Sequence, residues 1–356
     1  MVVGCFWVLL KKINNKNMIN IVGKRKIFFS ISSLLVGLSI LFVVLFGLKP
    51  GIDFTGGALM EISFTGERPV MSDIQAEFAD NTYGNVRVQP TESNGYILKM
   101  RFISEEEHKT ILQKMRDKFE VVNSVDNNDL TVINDDSVSK LVNIQAAEVS
   151  TTSETSTSTL SENRLIEDKI ETIRPAISSQ LQQRSMEAAI AVVIAIILYV
   201  AYAFRKVTKP VASWKYGVTA VIALIHDVMI TVGVFALLGH FYGVEVDIPF
   251  VVAILTIFGY SVNDTIVVFD RVRENLIKHG YEKFDEIVNK GVNETIFRSI
   301  NTAFTTLLVL IALFFFGGAS IHYFVLALII GISFGTYSSI FLASPLLVVW
   351  QKMGKK

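Results

Sequence analysis

Six segments of this chain are apolar and long enough to cross a lipid bilayer. A transmembrane helix needs about 20 mainly apolar residues, and such runs leave the chain 51% hydrophobic and only 19% charged. Soluble domains carry about 25% charged residues, so the pattern predicts an α-helical membrane protein. The predicted spans, in chain order, are Ile27–Leu48, Ala188–Phe204, Tyr216–Leu238, Phe250–Phe269, Ser299–Phe316 and Tyr323–Trp350.

Lysine and arginine are distributed unevenly around these spans. They are concentrated before the first span and after the second, fourth and sixth, whereas residues 239–248 and 317–322 contain none. Basic loops favour the cytoplasmic side of a membrane. With six spans, this rule predicts that both termini are cytoplasmic and that the long segment 49–187 is extracytoplasmic. The remaining cytoplasmic parts are then residues 1–26, 270–298 and 351–356.

The first ten residues are apolar, but the lysines follow them, which is the reverse of the order in a signal peptide. They could form an interfacial helix. We favour the other interpretation, in which residues 1–17 are an extension upstream of a natural start near Met18.

The segment 49–187 predicts a small α+β domain with an insertion. Its strand and helix patterns follow the order β-α-β-β-α-β of a ferredoxin-like fold, ending with a strand at Asp129–Ile133. Ser104 begins a capping box for the second helix. Residues 134–165 are rich in Ser and Thr and predict a flexible insertion, for which a tolerated surface loop is a simpler interpretation than a partner-binding arm. A helical connector at about 167–184 is expected to lead into the second span.

Ionisable and amide side chains interrupt two of the predicted spans. Asp264 lies six residues before Asp270, the expected membrane boundary, and is therefore about 9 Å deep. Charged residues at such depth are often functional, so on its own position Asp264 is either a proton carrier or a buried structural carboxylate that is hydrogen-bonded to a neighbouring helix. His226 and Asp227 are either part of a proton pathway or polar contacts to another helix. Because adjacent helical residues point about 100° apart, we expect these two not to face each other. Asn263 is interpreted as an interhelical hydrogen-bonding group.

Two groups of small residues predict structural features. Gly51, Gly56 and Gly57 flank Asp53 just after the first span, which predicts a tight exit with positive φ angles and a turn or capping role for Asp53. Small residues also recur at every fourth position of the last span, which predicts close helix packing rather than a ligand site. Those positions are Ala327, Gly331, Gly335, Ser339 and Ala343.

Several functional classes are disfavoured by the composition. The single cysteine, Cys5, allows neither a disulfide framework nor a multi-cysteine metal site. Phosphate-loop and zinc-protease motifs do not occur in the sequence, and the zero net charge does not indicate a nucleic-acid partner. The segment 49–187 offers one histidine, His108, so a membrane-anchored enzyme is a weak alternative. We therefore predict no enzymatic reaction, no cofactor and no bound metal.

Three motifs together carry a resemblance to a known family. They are GIDFTGG at 51–57, GYSVNDTIVVFDRVREN at 259–275 and RSINT at 298–302. With these motifs at the expected places between and within the spans, the chain resembles the SecF family, the smaller half of the SecD–SecF protein-export motor. The resemblance covers roughly residues 19–122 and 166–350.

The resemblance implies a resistance-nodulation-division fold, in which six helices form half of a transporter. It implies SecD as the partner that supplies the other half, in the bacterial inner membrane beside the SecYEG channel. The pair would use the proton motive force to drive or complete preprotein translocation. The resemblance ties Asp264 and Arg298 to proton passage and makes the Gly51–Gly57 motif a coupling joint between the membrane part and the outer domain.

Two alternatives remain open on the residues alone. Without the resemblance, Arg298 is better explained as a positive-inside anchor that extends to lipid phosphate. The chain as a whole could instead be a self-contained exporter of lipids or small molecules that acts as a homo-oligomer of the same fold class.

Overall fold

The computed structural model describes residues 18–91, 94–120, 164–204, 212–280 and 282–353. The predicted strand at 129–133, all but the end of the predicted insertion at 134–165, and residues 1–17 lie outside these ranges. The chain divides into two compact units. Residues 57–174 form the smaller one, and the segments before and after them form the larger one.

The described elements alternate in type only in the first half of the chain. The helices are α1 (Arg25–Phe46), α2 (Ile52–Thr55), α3 (Met71–Glu77), α4 (Glu105–Phe119), α5 (Pro175–Ala203), α6 (Ser213–Tyr242), α7 (Ile248–His279), α8 (Phe284–Phe316), α9 (Ala319–Ser338) and α10 (Ser344–Met353). The strands are β1 (Gly57–Phe64), β2 (Arg87–Pro90), β3 (Gly95–Met100) and β4 (Leu165–Ile173). A π-helical turn, Ser339–Ala343, joins α9 to α10.

The smaller unit has the predicted ferredoxin-like arrangement. Its sheet has the order β2-β3-β1-β4, and every neighbouring pair is antiparallel. Alternate residues of β1 are buried against α3 and α4, as the two-residue period of a strand requires. The predicted capping box begins α4: the Ser104 hydroxyl accepts from the Glu107 amide, and the Glu107 carboxylate accepts from the Ser104 amide at 2.8 Å.

The helical connector predicted at about 167–184 is wrong over its first part. Residues Leu165–Ile173 form β4, which pairs along the whole of β1 and completes the sheet. The apolar residues of this segment are also compatible with a helical period, and only the unpaired edge of β1 decides for a strand. Pro175 begins α5. Proline is favoured at this position because an amide hydrogen in the first helical turn has no acceptor within the helix, so its absence costs nothing.

Among the described residues of the larger unit, six helical segments are long and apolar enough to cross a membrane. Each predicted span lies largely within one of them, but three of the helices extend much further, and α5 begins 13 residues before its predicted span, at Pro175. α7 continues to His279 and α8 begins at Phe284, so most of the segment predicted as 270–298 is a helical continuation of the fourth and fifth spans. Gly280, with φ +81°, ends α7 and permits the tight connection.

Small residues set the helix spacing in the larger unit. A Cβ atom at Gly331 of α9 would lie 2.1 Å from Ile257 Cδ1 of α7, and one at Gly335 would lie 3.2 Å from Ser261 Cβ. A Cβ at Gly233 of α6 would lie 2.4 Å from Ser39 Cβ of α1. The backbones approach this closely because the glycines lack side chains.

The sixth span is interrupted where its proline lies. Pro345 cannot donate a backbone hydrogen bond, and the π-helical turn Ser339–Ala343 ends one residue before Ser344 and Pro345, the first two residues of α10. The Ser344 hydroxyl donates to the Ser339 carbonyl at 3.2 Å and satisfies part of the altered ladder. The irregular turn places two consecutive serines, Ser338 and Ser339, inside the bundle, where both are fully buried.

Candidate functional site

Asp264 lies on α7, where hydroxyl groups from two other elements contact its carboxylate. The Ser299 hydroxyl of α8 donates to Oδ1 at 2.5 Å, and the Ser339 hydroxyl of the π-helical turn donates to Oδ2. The residue is only partly buried. Asp264 therefore links α7 to α8 and to the π-helical turn through neutral donors.

A second carboxylate, Asp227 of α6, is completely buried. Its Oδ2 accepts from the Ser261 hydroxyl of α7 at 2.6 Å and from the Ser338 hydroxyl of α9 at 2.8 Å. His226 Nδ1 lies 2.9 Å from Asp227 Oδ1. The expectation that these adjacent side chains would not face each other is wrong, because both are long enough to turn toward each other across the helix surface.

The two carboxylates share the same neighbouring elements. Ser261, which contacts Asp227, lies one helical turn before Asp264 on α7, so both residues are on one face of that helix. Ser338 and Ser339 are consecutive, and each donates to a different carboxylate. Within the part of the chain that the structure describes, these contacts bring the predicted residues Asp227 and Asp264 into one polar region.

Arg298 and Asn263 lie outside this polar region. Both are exposed, and within the described chain Arg298 forms no ion pair with Asp264, although it is close enough to act on it electrostatically. They belong to two stripes of exposed polar residues, one on α7 and one on α8, which we call the polar stripes. Their members are Thr256 and Asn263 on α7, and Arg298, Thr302 and Thr305 on α8.

The glycine motif after the first span docks on the loop before α7. The Gly51 amide donates to the Val246 carbonyl at 2.7 Å, and a Cβ at Gly51 would lie 3.1 Å from that oxygen. Asp53 Oδ2 accepts from the Ile248 amide at 2.7 Å and so supplements the N-cap residue Asp247 at the start of α7. Gly56 and Gly57 have φ angles of +75° and +148°, conformations that residues with a Cβ rarely adopt.

The hydroxyl donors were the part of the site that we did not predict. The sequence predicts Ser339 only as a packing residue of the last span, and its pattern indicates no role for Ser261, Ser299 or Ser338. A short polar side chain inside a helix is often satisfied by its own backbone, so the sequence alone does not distinguish a packing serine from a donor to a carboxylate. The one available signal is that these serines lie in spans that contain or neighbour an aspartate.

Two known families match this chain. The family "Protein export membrane protein SecD/SecF, C-terminal" matches residues 152–353, and the "SecD/SecF GG Motif" matches residues 42–66. The second match contains the glycine motif that docks before α7, and the first contains both carboxylates.

Curated relatives match almost the whole chain. The protein translocase subunit SecF of Thermobaculum terrenum is 38% identical over 347 residues, which is 94% of both chains. That of Anaerolinea thermophila is 32% identical and again covers 94% of both. That of Synechocystis is 45% identical over 184 residues, about half of each chain.

The fold also matches a solved structure. SecDF of Thermus thermophilus, described as a translocon-associated membrane protein, superposes with a TM-score of 0.71 at 28% identity. The match covers 95% of this chain but 39% of the SecDF chain, so this chain spans about two fifths of that longer protein. On the strength of the family match over more than half its length and of full-length relatives at 32–38% identity, this chain is a multi-pass membrane protein of the SecF family.

Proposed function

We propose that this SecF-family subunit couples the movement of protons through Asp264 to the export of unfolded protein chains. The observation that carries the proposal is that neutral hydroxyls, rather than a fixed cation, hold a carboxylate within a membrane-spanning helix. A hydroxyl donates to an ionised carboxylate and accepts from a protonated one. Asp264 can therefore gain and lose a proton without losing its partners, which a carrier requires.

Arg298 has a separate part in this proposal. Arg298 is exposed and directly precedes Ser299, whose hydroxyl donates to Asp264 Oδ1. A guanidinium stays protonated and favours the charged form of a nearby carboxylate. We infer that Arg298 approaches Asp264 in one state of the transport cycle and withdraws in another, which would favour proton binding and release in turn.

The polar stripes support a membrane partner that covers α7 and α8. Polar and charged side chains that face lipid are costly, and in membrane bundles they usually face other helices or water. Arg298 and Asn263 are exposed in this chain by itself. The chain also spans only 39% of the SecDF chain. We therefore propose SecD as the subunit that covers the polar stripes, and SecYEG as the channel beside which the pair works.

The distribution of basic residues supports a topology for this assembly. We propose that both termini are cytoplasmic, that the protein lies in the bacterial inner membrane, and that the unit 57–174 is extracytoplasmic. In that topology the smaller unit is on the side where an emerging chain would be bound. The alternative of a homo-oligomeric exporter needs a second copy of this chain, rather than SecD, on the polar stripes, and co-purification distinguishes the two.

The direct test is preprotein export into membrane vesicles that contain the full complex, with and without a proton gradient. We expect Asp264→Asn to lose the gradient-dependent part of export and to keep the part driven without a gradient. Asp270→Asn is the matched control, because it makes the same change on the same helix at an exposed carboxylate. Full gradient dependence in Asp264→Asn would show that this carboxylate is structural.

A further inference from the structure

Two consecutive serines lie where α9 passes into the π-helical turn, and each contacts a different carboxylate. Ser338 donates to Asp227 Oδ2 at 2.8 Å, and Ser339 donates to Asp264 Oδ2. Both serines are completely buried. Consecutive helical residues point about 100° apart, so a single turn of the sixth span reaches α6 through one serine and α7 through the other.

Each serine hydroxyl also has a second acceptor on its own helix. Ser338 Oγ lies 3.1 Å from the Gly335 carbonyl oxygen, and Ser339 Oγ lies 3.1 Å from the Thr336 carbonyl oxygen. A hydroxyl has one proton to donate. It donates to the carboxylate when that group is ionised. When the carboxylate is protonated, it can donate to the serine oxygen, and the serine proton is then free to turn to the helix carbonyl.

The surrounding structure favours the transmission of such a change. A π-helical turn has an irregular backbone ladder, and turns of this kind are frequent at functional sites. The Ser339 carbonyl already accepts a side-chain bond from Ser344 at 3.2 Å. A Cβ at Gly335 would lie 3.3 Å from Ser261 Oγ and 3.5 Å from Asp227 Oδ2. The sixth span therefore packs closely against Ser261 and Asp227 at Gly335, so a shift of this part of the span would be felt at Asp227.

We propose that Ser338 and Ser339 are positioning residues that couple Asp227 to Asp264, so that proton binding at Asp264 changes the hydrogen bonding of Asp227. No covalent bond changes in this step: the hydroxyl protons stay on the serines and only their acceptors change. The inference rests on the proposed function, because it needs Asp264 to exchange protons. It assigns Asp227 to the coupled unit rather than to passive helix packing.

The test uses the complete translocase complex in vesicles and measures gradient-dependent export across a range of pH. Ser338→Ala is the decisive variant, because its hydroxyl contacts Asp227 and not Asp264. We expect it to lower gradient-dependent export by about tenfold, the effect of losing one hydrogen bond to a charged group, and to move the midpoint of the pH profile. Ser338→Cys keeps a weaker hydrogen-bond donor. Its gradient-dependent export should therefore be intermediate between that of the wild type and that of Ser338→Ala.

The control removes a hydroxyl from the same helix without touching a carboxylate. Thr336 is buried, and its hydroxyl donates to the Ile332 carbonyl at 3.0 Å. Thr336→Val should therefore leave the pH profile unchanged. Reciprocal coupling adds a further requirement. In an Asp227→Asn background, Ser338→Ala should change export by much less than in the wild type.

The pH profile has contributions from other groups near the two carboxylates. His226 contacts Asp227, Arg298 acts electrostatically on Asp264, and Tyr260 lies within the electrostatic influence of Asp264. None of them contacts Thr336 through a hydrogen bond that the structure describes, and all three are unchanged in the serine variants. A midpoint that moves in Ser338→Ala but not in Thr336→Val is therefore assigned to the serine.

Two results decide between failure of the inference and failure of the proposed function. If Ser338→Ala matches Thr336→Val while Asp264→Asn has lost gradient dependence, the coupling is overturned and the proton-carrier role stands. If Asp264→Asn keeps gradient dependence, the proposed function and the coupling both fall. Gradient-independent export and co-purification of SecD report folding. If Ser338→Ala loses gradient-independent export or co-purification of SecD, the test is repeated with Ser338→Cys. A pH profile of Ser338→Cys identical to that of the wild type then overturns the coupling.

Discussion

The contact between Gly331 and Ile257 gives a quantitative prediction about the packing of α9 on α7. A Cβ at Gly331 would lie 2.1 Å from Cδ1, 2.4 Å from Cγ1 and 3.0 Å from Cγ2 of Ile257, which is fully buried. A β-branched residue in a helix has one strongly preferred χ1 rotamer, so Cγ1 and Cγ2 cannot turn away even if Cδ1 rotates. Overpacking costs about 1–3 kcal/mol, and replacing a helical glycine by alanine returns about 1 kcal/mol. We therefore expect Gly331→Ala to destabilise the protein by up to about 2 kcal/mol.

The assay is reversible unfolding of the purified chain in detergent, compared between two glycines. Gly259→Ala is the matched control, because Gly259 lies two residues from Ile257 on α7 and a Cβ there meets nothing within 4 Å. It should be neutral or stabilising. In an Ile257→Ala background the sign of Gly331→Ala should reverse, because its methyl group then fills a cavity. An equal loss in both backgrounds, or equal effects of the two glycine substitutions, would refute the packing argument.

Two further predictions concern the glycine motif and the smaller unit. Asp53→Ala should destabilise the start of α7 by about 1 kcal/mol, since it removes the acceptor of the Ile248 amide, and faster hydrogen exchange at that amide is the measurement. Glu77 accepts from Lys114 and Lys118, which holds the pKa of its carboxyl below the ordinary 4.5. This stabilisation is present above pH 4.5 and is lost as the pH falls through the lowered value. Glu77→Gln should therefore flatten the acid-dependent rise in hydrogen exchange around α3, and an unchanged acid dependence would contradict the assignment.

The sequence predicted the membrane spans well, because burial in lipid imposes a simple requirement on composition. It predicted helix ends poorly. Residues after 269 and before 299 become polar, which indicates where a span leaves the bilayer, but α7 continues to His279 and α8 begins at Phe284. The polarity of a segment indicates whether it lies in lipid or in water, whereas the length of a helix depends on its caps and its packing. The residue that marks the end of α7 is Gly280. The strand β4 was missed for a related reason: its formation depends on pairing with β1, more than a hundred residues earlier.

The sequence predicts those residues of the site whose type is unusual in an apolar membrane span. Asp264 and Asp227 are conspicuous as carboxylates in apolar runs, and both have several donors in the structure. Serine is common in membrane helices, so Ser299 and Ser338 carried no such signal. The contact between Ser338 and Asp227 joins residues that are 111 positions apart, and it follows from helix packing that no local pattern encodes.

The different exposure of the two carboxylates argues for a division of roles between them. Asp227 is completely buried and has three hydrogen-bond partners, so in this structure it has no direct contact with solvent. Asp264 is partly exposed and lies near the polar stripes, where a second subunit can supply water or a charged group. Proton exchange with the outside is therefore expected at Asp264. Asp227 can respond to that exchange only through a shared element, and the consecutive serines of the sixth span contact both carboxylates.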